Sequence, residues 1–358
     1  PGLPASMEIT WTTINETEES TVEYGLGLTA LFRARTTDFL WTGSEGREIH
    51  IHGVTLTVLR PASAYVYHCG SEAGWSDVLS FTALNESASW GSRFAIYGDM
   101  GNENPHIYDL ILNFISTNTV YYADNGRIGD EFMRQIQSIA VYVPYMTYCT
   151  LHTYEIYLFL DYGVDLIFKR YEWLKKDLEI KLGNRAECLW ITTMGHRSMY
   201  SSNNNKDDTC YLSVCLSALA QVRLGRNDTK PAAPGLEDVL FSYQLLKCLF
   251  PGLDLELWAQ EHTYERLWTV YGYKVTKAPV HVITGSTVRA RSRAAISVGA
   301  ISNPRDWSAF CNTDNGHTCM HVHNTTHLYL EQVSDDQYGK VINSIWVVKE
   351  KHGFSAWF

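Results

Sequence analysis

The 358-residue chain has no run of about 18 apolar residues, so no membrane-spanning helix is read from it. Its richest apolar stretch, residues 245–257, is broken by Pro251, Gly252 and Asp254. None of the 8 cysteines forms a Cys-x-x-Cys pair, which removes support for a zinc ribbon. Basic charge is in deficit: 29 Lys and Arg face 39 Asp and Glu, a net charge of −10. Nucleic acid is thereby excluded as a main partner, because neutralising phosphates requires a basic surface. Disorder is excluded too, since 45% of the residues are apolar and 19% charged. There is no internal repeat and no low-complexity segment. The chain opens at Pro1 without a Met or a signal peptide, so a leader removed or omitted stays open.

What is present falls into two grammars, and the length suggests two domains or three. Residues 6–13, 21–25, 48–56, 64–69 and 78–83 are short, alternating and rich in Thr, Val, Ile, Tyr and Trp. Gly and Pro clusters separate them. This pattern predicts a small β-sandwich. Beyond Arg93 the pattern changes. Residues 94–97, 188–194, 253–259 and 279–284 read as buried strands. Residues 105–115, 129–143, 165–182 and 236–249 carry helical spacing, and the tail returns to strands at 326–333 and 340–349. Strands alternating with helices predict a layered α/β domain. Gly25-Leu26-Gly27-Leu28-Thr29-Ala30 fits a dinucleotide fingerprint but lacks the crossover helix that would make it one.

Three polar clusters stand at the C-terminal ends of the predicted strands, where open α/β sheets place ligands. They are Gly98-Asp99-Met100-Gly101, Met194-Gly195-His196-Arg197 and Gln260-Glu261-His262. Asp and His brought together from separate strands can build a metal site. The bland alternative makes Asp99 a turn residue and His196 a structural hydrogen-bonder. The strand-spaced pairs His50/His52 and His321/His323 read as surface or packing residues rather than ligands. Asn15, Asn85, Asn227 and Asn324 each open an Asn-x-Ser/Thr sequon, which leans toward the secretory pathway.

Phe94-Ala95-Ile96-Tyr97-Gly98-Asp99-Met100-Gly101 resembles the first motif of the purple acid phosphatases, which are metallophosphoesterases. Residues 124–133, 190–200, 257–268, 279–286 and 332–348 are similar to segments of the long animal members, in the same order. Residues 2–13 resemble the start of that family's fibronectin-type-III-like domain. The resemblance implies a fibronectin-type-III-like β-sandwich (1–88), a metallophosphoesterase α/β sandwich (89–320) and a C-terminal β segment (321–358). It also implies acid phosphatase activity on small phosphate esters. The family's cofactors are an Fe(III) paired with Fe, Zn or Mn, which clamp the ester and activate a water.

Carried over residue by residue, Asp99 stands at the first motif, His196 at the fourth and His262 at the second His of the fifth. Gln260 stands where the fifth motif has its first His, as a weak donor. Counting back from Asp124 puts Ser116 at the bridging Asp of the second motif and Thr119 at its colour-giving Tyr. The third motif, Gly-Asn-His-Asp/Glu, has no counterpart. Two cations a few ångströms apart repel strongly unless anions bridge them. The resemblance with these departures implies at most one metal here, zinc by preference. Weakened phosphatase, non-catalytic secreted glycoprotein and exon-skipped product are the readings it leaves.

Overall fold

In the computed structural model, the described residues are 6–42, 46–85, 91–98, 113–116, 125–148, 164–184, 189–202, 225–226, 233–237, 240, 253–259, 263–276, 278–286 and 304–349. They form two compact units, Pro1–Trp90 with Thr119–Tyr145, and Gly91–Asn118 with Met146–Phe358.

The first unit is a β-sandwich. Its strands are β1 (Met7–Thr13), β2 (Ser20–Gly25), β3 (Phe32–Thr36), β4 (Phe39–Thr42), β5 (Glu48–Leu56), β6 (Ala64–Ser71), β7 (Gly74–Trp75) and β8 (Leu79–Thr82). One sheet runs β1-β5-β4, and the other runs β3-β2-β6-β7 with β8 on β6. Alternation along β5 and β6 sends every second side chain inward. Ile9, Val22, Val54, Leu56, Tyr65, Tyr67 and Phe81 meet between the sheets. The sequence missed β3 and β4 because they are short edge strands whose residues are mostly exposed.

Helix α1 (Arg127–Ala140) belongs by its contacts to this unit, although in the chain it lies within the span expected for the phosphatase domain. Gly126 precedes it at φ 79°, a left-handed conformation that Gly adopts without strain. Arg47 pairs with Asp130 in its first turn and donates to Asn125 O at 3.1 Å. Tyr67 donates to Val141 O at 2.8 Å at its other end.

His50 and His52 pack as expected. His52 is buried against Trp11, ring centroids 4.8 Å apart, and bonds Ser20 at 2.6 Å and Thr13 at 2.9 Å. His50 meets Asp38 at 2.5 Å.

The second unit opens with β9 (Ser92–Gly98), β10 (Asn113–Ser116) and β11 (Tyr145–Tyr148), then helix α2 (Val164–Gly183). Next come β12 (Thr192–Arg197), β13 (Gly225–Arg226), β14 (Ala233–Pro234), β15 (Leu255–Ala259) and β16 (Tyr264–Leu267). It closes with β17 (Val270–Tyr271), β18 (Lys274–Val275), β19 (Val280–Thr284), β20 (Ser308–Asn312), β21 (Gly316–Val322), β22 (His327–Ser334) and β23 (Lys340–Val348). The two large sheets run β11-β10-β9-β21-β22-β23 and β12-β15-β19-β16-β20.

Ile96, Leu255, Leu257, Tyr264, Val282, Met320, Leu328 and Leu330 fill the space between these sheets. On the far face of the second sheet, Trp258 and Ile283 pack with Leu178 of α2 and with Leu236 and Leu240. This is the expected α/β sandwich, and β22 and β23 extend the same sheet that holds β9.

The helix expected over residues 105–115 is corrected at its end. Residues 113–115 lie in β10, paired in parallel with β9. A four-residue segment is too short for its periodicity to tell helix from strand, and sheet pairing decides. Residues 105–112 lie outside the described residues, as does most of the expected helix 236–249.

The end of β23 is locked by charge. Lys349 Nζ donates to Asp254 Oδ1 at 2.9 Å and to Leu189 O, and sits 4.2 Å over the Trp190 ring. Asp254 Oδ2 accepts from Ile191 N at 2.8 Å. Both side chains of the pair are buried. Lys349→Met is expected to cost about 3–5 kcal/mol, because Asp254 keeps a buried charge without its cation. Urea unfolding beside the wild type measures it. A shift under about 1 kcal/mol, the range of an exposed pair, would refute the buried-pair reading.

Candidate active site at a rim of strand ends

The geometry of the rim follows from one glycine. A Cβ placed on Gly98, the last residue of β9, would lie 2.4 Å from Ala259 Cβ, 3.3 Å from Ala259 Cα and 3.4 Å from Gly285 Cα. Only hydrogen fits there, so the end of β9 in one sheet touches the ends of β15 and β19 in the other. β10 runs parallel to β9 with Ser116 beside Gly98. β12 runs parallel to β15, with Gly195 beside Trp258 and Arg197 beside Ala259. His196 is the extra residue of the bulge between them. Bulges re-aim side chains and recur next to active sites. Five parallel strands thus bring their C-terminal ends to one place.

Asp99 follows β9 in the chain and Gln260 follows β15. Asp99, Gln260 and His262 lie outside the described residues, as does the side chain of His196. The backbone of His196 is placed at the rim, one register step from the end of β15. The backbone of Ser116 is placed there too, beside Gly98, and the resemblance sets this position against the family's bridging carboxylate. Near these ends Ser198 Oγ and Thr263 Oγ1 are buried with no hydrogen-bond partner among the described residues. Orphaned polar atoms beside the rim fit a polar occupant. The donor set Asp99, His196 and His262 has the composition of a three-ligand zinc site. With Ser116 in place of a carboxylate, it does not fit two adjacent cations. No three His, Cys, Asp or Glu side chains stand together as ligands among the described residues.

Of the sequons, Asn15 and Asn324 are exposed, Asn85 is half-buried, and Asn227 lies outside the described residues. Asn324 Oδ1 accepts from Thr326 N at 2.8 Å and from Thr326 Oγ1 at 3.0 Å. The rings of His321 and His323 touch, with centroids 3.6 Å apart.

Sequence reasoning missed a buried polar group behind the rim. Glu256 and His281 face away from the sheet-to-sheet core, with His281 Nδ1 3.3 Å from Glu256 Oε2. Trp258 Nε1 donates to the same His281 nitrogen at 3.1 Å. Nearby, Tyr200 donates to Glu237 Oε1, which also accepts from Gly272 N at 2.9 Å. The missed signal was the alternation Leu253-Asp254-Leu255-Glu256-Leu257, acid on every second position of an apolar run.

Burial pushes the Glu256 carboxyl up to about 8, helped by the negative charge of Glu237. Burial pushes His281 down to about 3, against a backbone hydrogen bond with Val270. At neutral pH the two therefore meet as neutral acid and neutral imidazole rather than as an ion pair.

These shifts fix a pH dependence. Unfolded, Glu256 loses its proton near 4.5, whereas folded it holds it to about 8. Across that window the folded protein binds the extra proton, so the contribution of Glu256 to stability falls as pH rises. His281 ordinarily gains its proton below 6.5 but when folded only below about 3, so its contribution falls as pH drops through that range. The two slopes oppose each other between 4.5 and 6.5, and above 6.5 only that of Glu256 remains. The melting temperature of the wild type is expected to decline from pH 6.5 to 8, and that of Glu256→Gln to decline less. Parallel thermal melts check it, and identical slopes would refute it.

Residues 2–83 match the family described as Purple acid Phosphatase, N-terminal domain. Residues 278–344 match Iron/zinc purple acid phosphatase-like protein C. Acid phosphatase type 7 of Danio rerio is 48% identical over 423 aligned positions, covering 100% of this chain and 91% of that protein. Acid phosphatase type 7 of Homo sapiens is 36% identical over 416, covering 99% and 90%. Both alignments are longer than the 358-residue chain, so these relatives carry internal residues with no counterpart here. A purple acid phosphatase from yellow lupin (Lupinus luteus) seeds shares the fold at TM-score 0.68 and 19% identity, over 97% of this chain and 72% of that one. Sequence motifs, rim and full-length likeness agree: the chain belongs to the purple acid phosphatases, a family of phosphoric monoester hydrolases, beside the acid phosphatases of type 7.

Proposed function

We propose that this chain acts on small phosphate monoesters at the rim, weakly, with a single zinc ion in place of the family's metal pair. The observation that carries the reading is the contact of Gly98 with Ala259 and Gly285, which gathers the strand ends behind Asp99, His196 and Gln260. Asp99, His196 and His262 would hold the ion, with Gln260 a weak fourth donor. A bound ion would draw charge from the ester oxygens and acidify a water. The carboxylate of Asp99 would offset part of its charge. The rest of the chain's contribution is positional, through the bulge at His196 and the buried segments behind it. Iron paired with zinc or manganese is the family's arrangement, and Ser116 is the reason for one ion here.

Metal loading tests this. The chain is purified, offered iron and zinc, and assayed on an aryl phosphate from acid to neutral pH. The expected result is at most one ion per chain, no purple colour, and slow turnover abolished by His196→Ala. The deficit relative to a relative with all five motifs should exceed the ~10–100-fold typical of losing an outer-shell partner. Two ions with robust turnover would refute the reading. Background turnover unchanged by His196→Ala would favour the non-catalytic glycoprotein.

The same reading places the protein in the secretory pathway, with glycans on some of Asn15, Asn85, Asn227 and Asn324. The exposure of Asn15 and Asn324 supports it. Intact mass of protein from secreting cells, before and after glycosidase, is expected to drop. An unchanged mass would refute it.

A further inference from the structure

β12 ends at Arg197, and the chain then runs buried through Ser198, Met199, Tyr200 and Ser202. A buried segment without a strand ladder must find partners for its backbone elsewhere. One is supplied by a residue 63 positions away. Ser202 N donates to Glu265 Oε2 at 2.8 Å, and Ser201 Oγ donates to the same oxygen at 3.4 Å. Ser202 Oγ accepts from Arg305 N at 3.0 Å.

Glu265 is fully buried in β16, where strands on both sides fix it opposite Ile283 and Cys311. In the chain it stands three residues beyond His262. Its other oxygen, Oε1, has no hydrogen-bond partner among the described residues. A carboxylate so deeply buried carries a large desolvation cost. Among the described residues its hydrogen bonds all reach back to the segment after His196. β16 is held on both sides by the sheet, so the tie is rigid at that end.

We propose that Glu265 is a positioning residue: one buried carboxylate ties the segment after His196 to the strand after His262 and holds the two histidine-bearing stretches in register. The proposal rests on the phosphatase reading of the rim. Its function is mechanical, since Glu265 acts through the backbone of Ser201 and Ser202.

The test uses the full chain and two independent readouts. Hydrogen exchange is followed without added metal in the wild type, Glu265→Ala and Glu265→Gln. In Glu265→Ala, amides of 198–202 and 263–266 are expected to exchange roughly tenfold faster, as follows from losing a buried hydrogen bond. Glu265→Gln should restore most of the protection, since its amide oxygen still accepts from Ser202. Cobalt(II) is then titrated and its visible spectrum recorded. Glu265→Ala is expected to bind about 10–100-fold more weakly, with recovery in Glu265→Gln.

Unchanged exchange in the two segments, or loosening spread evenly over the chain, would overturn the tie. Faster exchange with unchanged cobalt affinity and spectrum would reduce Glu265 to a structural residue and overturn its positioning role. A wild type that takes up no cobalt would sink the metal reading of the rim instead, and the exchange data alone would then decide the tie. If Glu265→Ala does not fold, Glu265→Asp takes its place, because the shorter side chain cannot reach Ser202.

Discussion

The absence of a side chain at Gly98 is the constraint on which the second unit depends. A methyl group there would overlap Ala259 at 2.4 Å. Both partners are backbone or Cβ atoms, which cannot swing aside as a long side chain could. The two sheets are therefore in contact at the C-terminal ends of these parallel strands. Candidate ligands from β9, β12 and β15 can be gathered there without long loops. The bulge at His196 and the alignment of Ser116 with Gly98 belong to the same close approach.

The second unit also holds several buried acids. Asp254, Glu237, Glu256 and Glu265 are all nearly inaccessible, and each is managed differently. Asp254 has a buried lysine and a backbone donor. Glu237 has a tyrosine hydroxyl and the amide of Gly272. Glu256 keeps its proton. Glu265 accepts from Ser201 and Ser202. Within β15, Glu256 faces away from the sheet-to-sheet core while Leu255 and Leu257 on either side of it face into it. Packing and charge are thus sorted by strand alternation alone.

Much of this was legible in the sequence. Period-two alternation predicted β1, β2, β5, β6 and β8 nearly to the residue, and helical spacing located α1 and α2. Edge strands such as β3 and β4 were not legible because they are four or five residues long and mostly exposed, with no alternation of buried and exposed positions. β10 was misread because four residues hold too little periodicity to separate strand from helix. At the rim, strand-end placement pointed to Asp99, His196 and His262; the structure places the backbone of His196 there, and Asp99 and His262 lie outside the described residues. The roles of Glu256, His281 and Glu265 were not legible, since they arise from residues 25 to 63 positions apart that meet only in the fold. A run such as Tyr264-Glu265-Arg266 gives no hint that its acid is fully buried.

The first unit is discontinuous in the chain. Its sandwich comes from Pro1–Trp90, but α1 comes from Thr119–Tyr145, after β9 and β10 have been laid down for the other unit. A ribosome therefore releases the partners of Arg47 and Tyr67 only after it has begun the neighbouring fold. The unit, helix included, cannot be completed first and left behind. No single cut excises it intact: a fragment ending at Trp90 lacks α1, and one that includes α1 carries two strands of a sheet whose remaining members are absent. Synthesis of the two units is interleaved, and so is any truncation that tries to separate them.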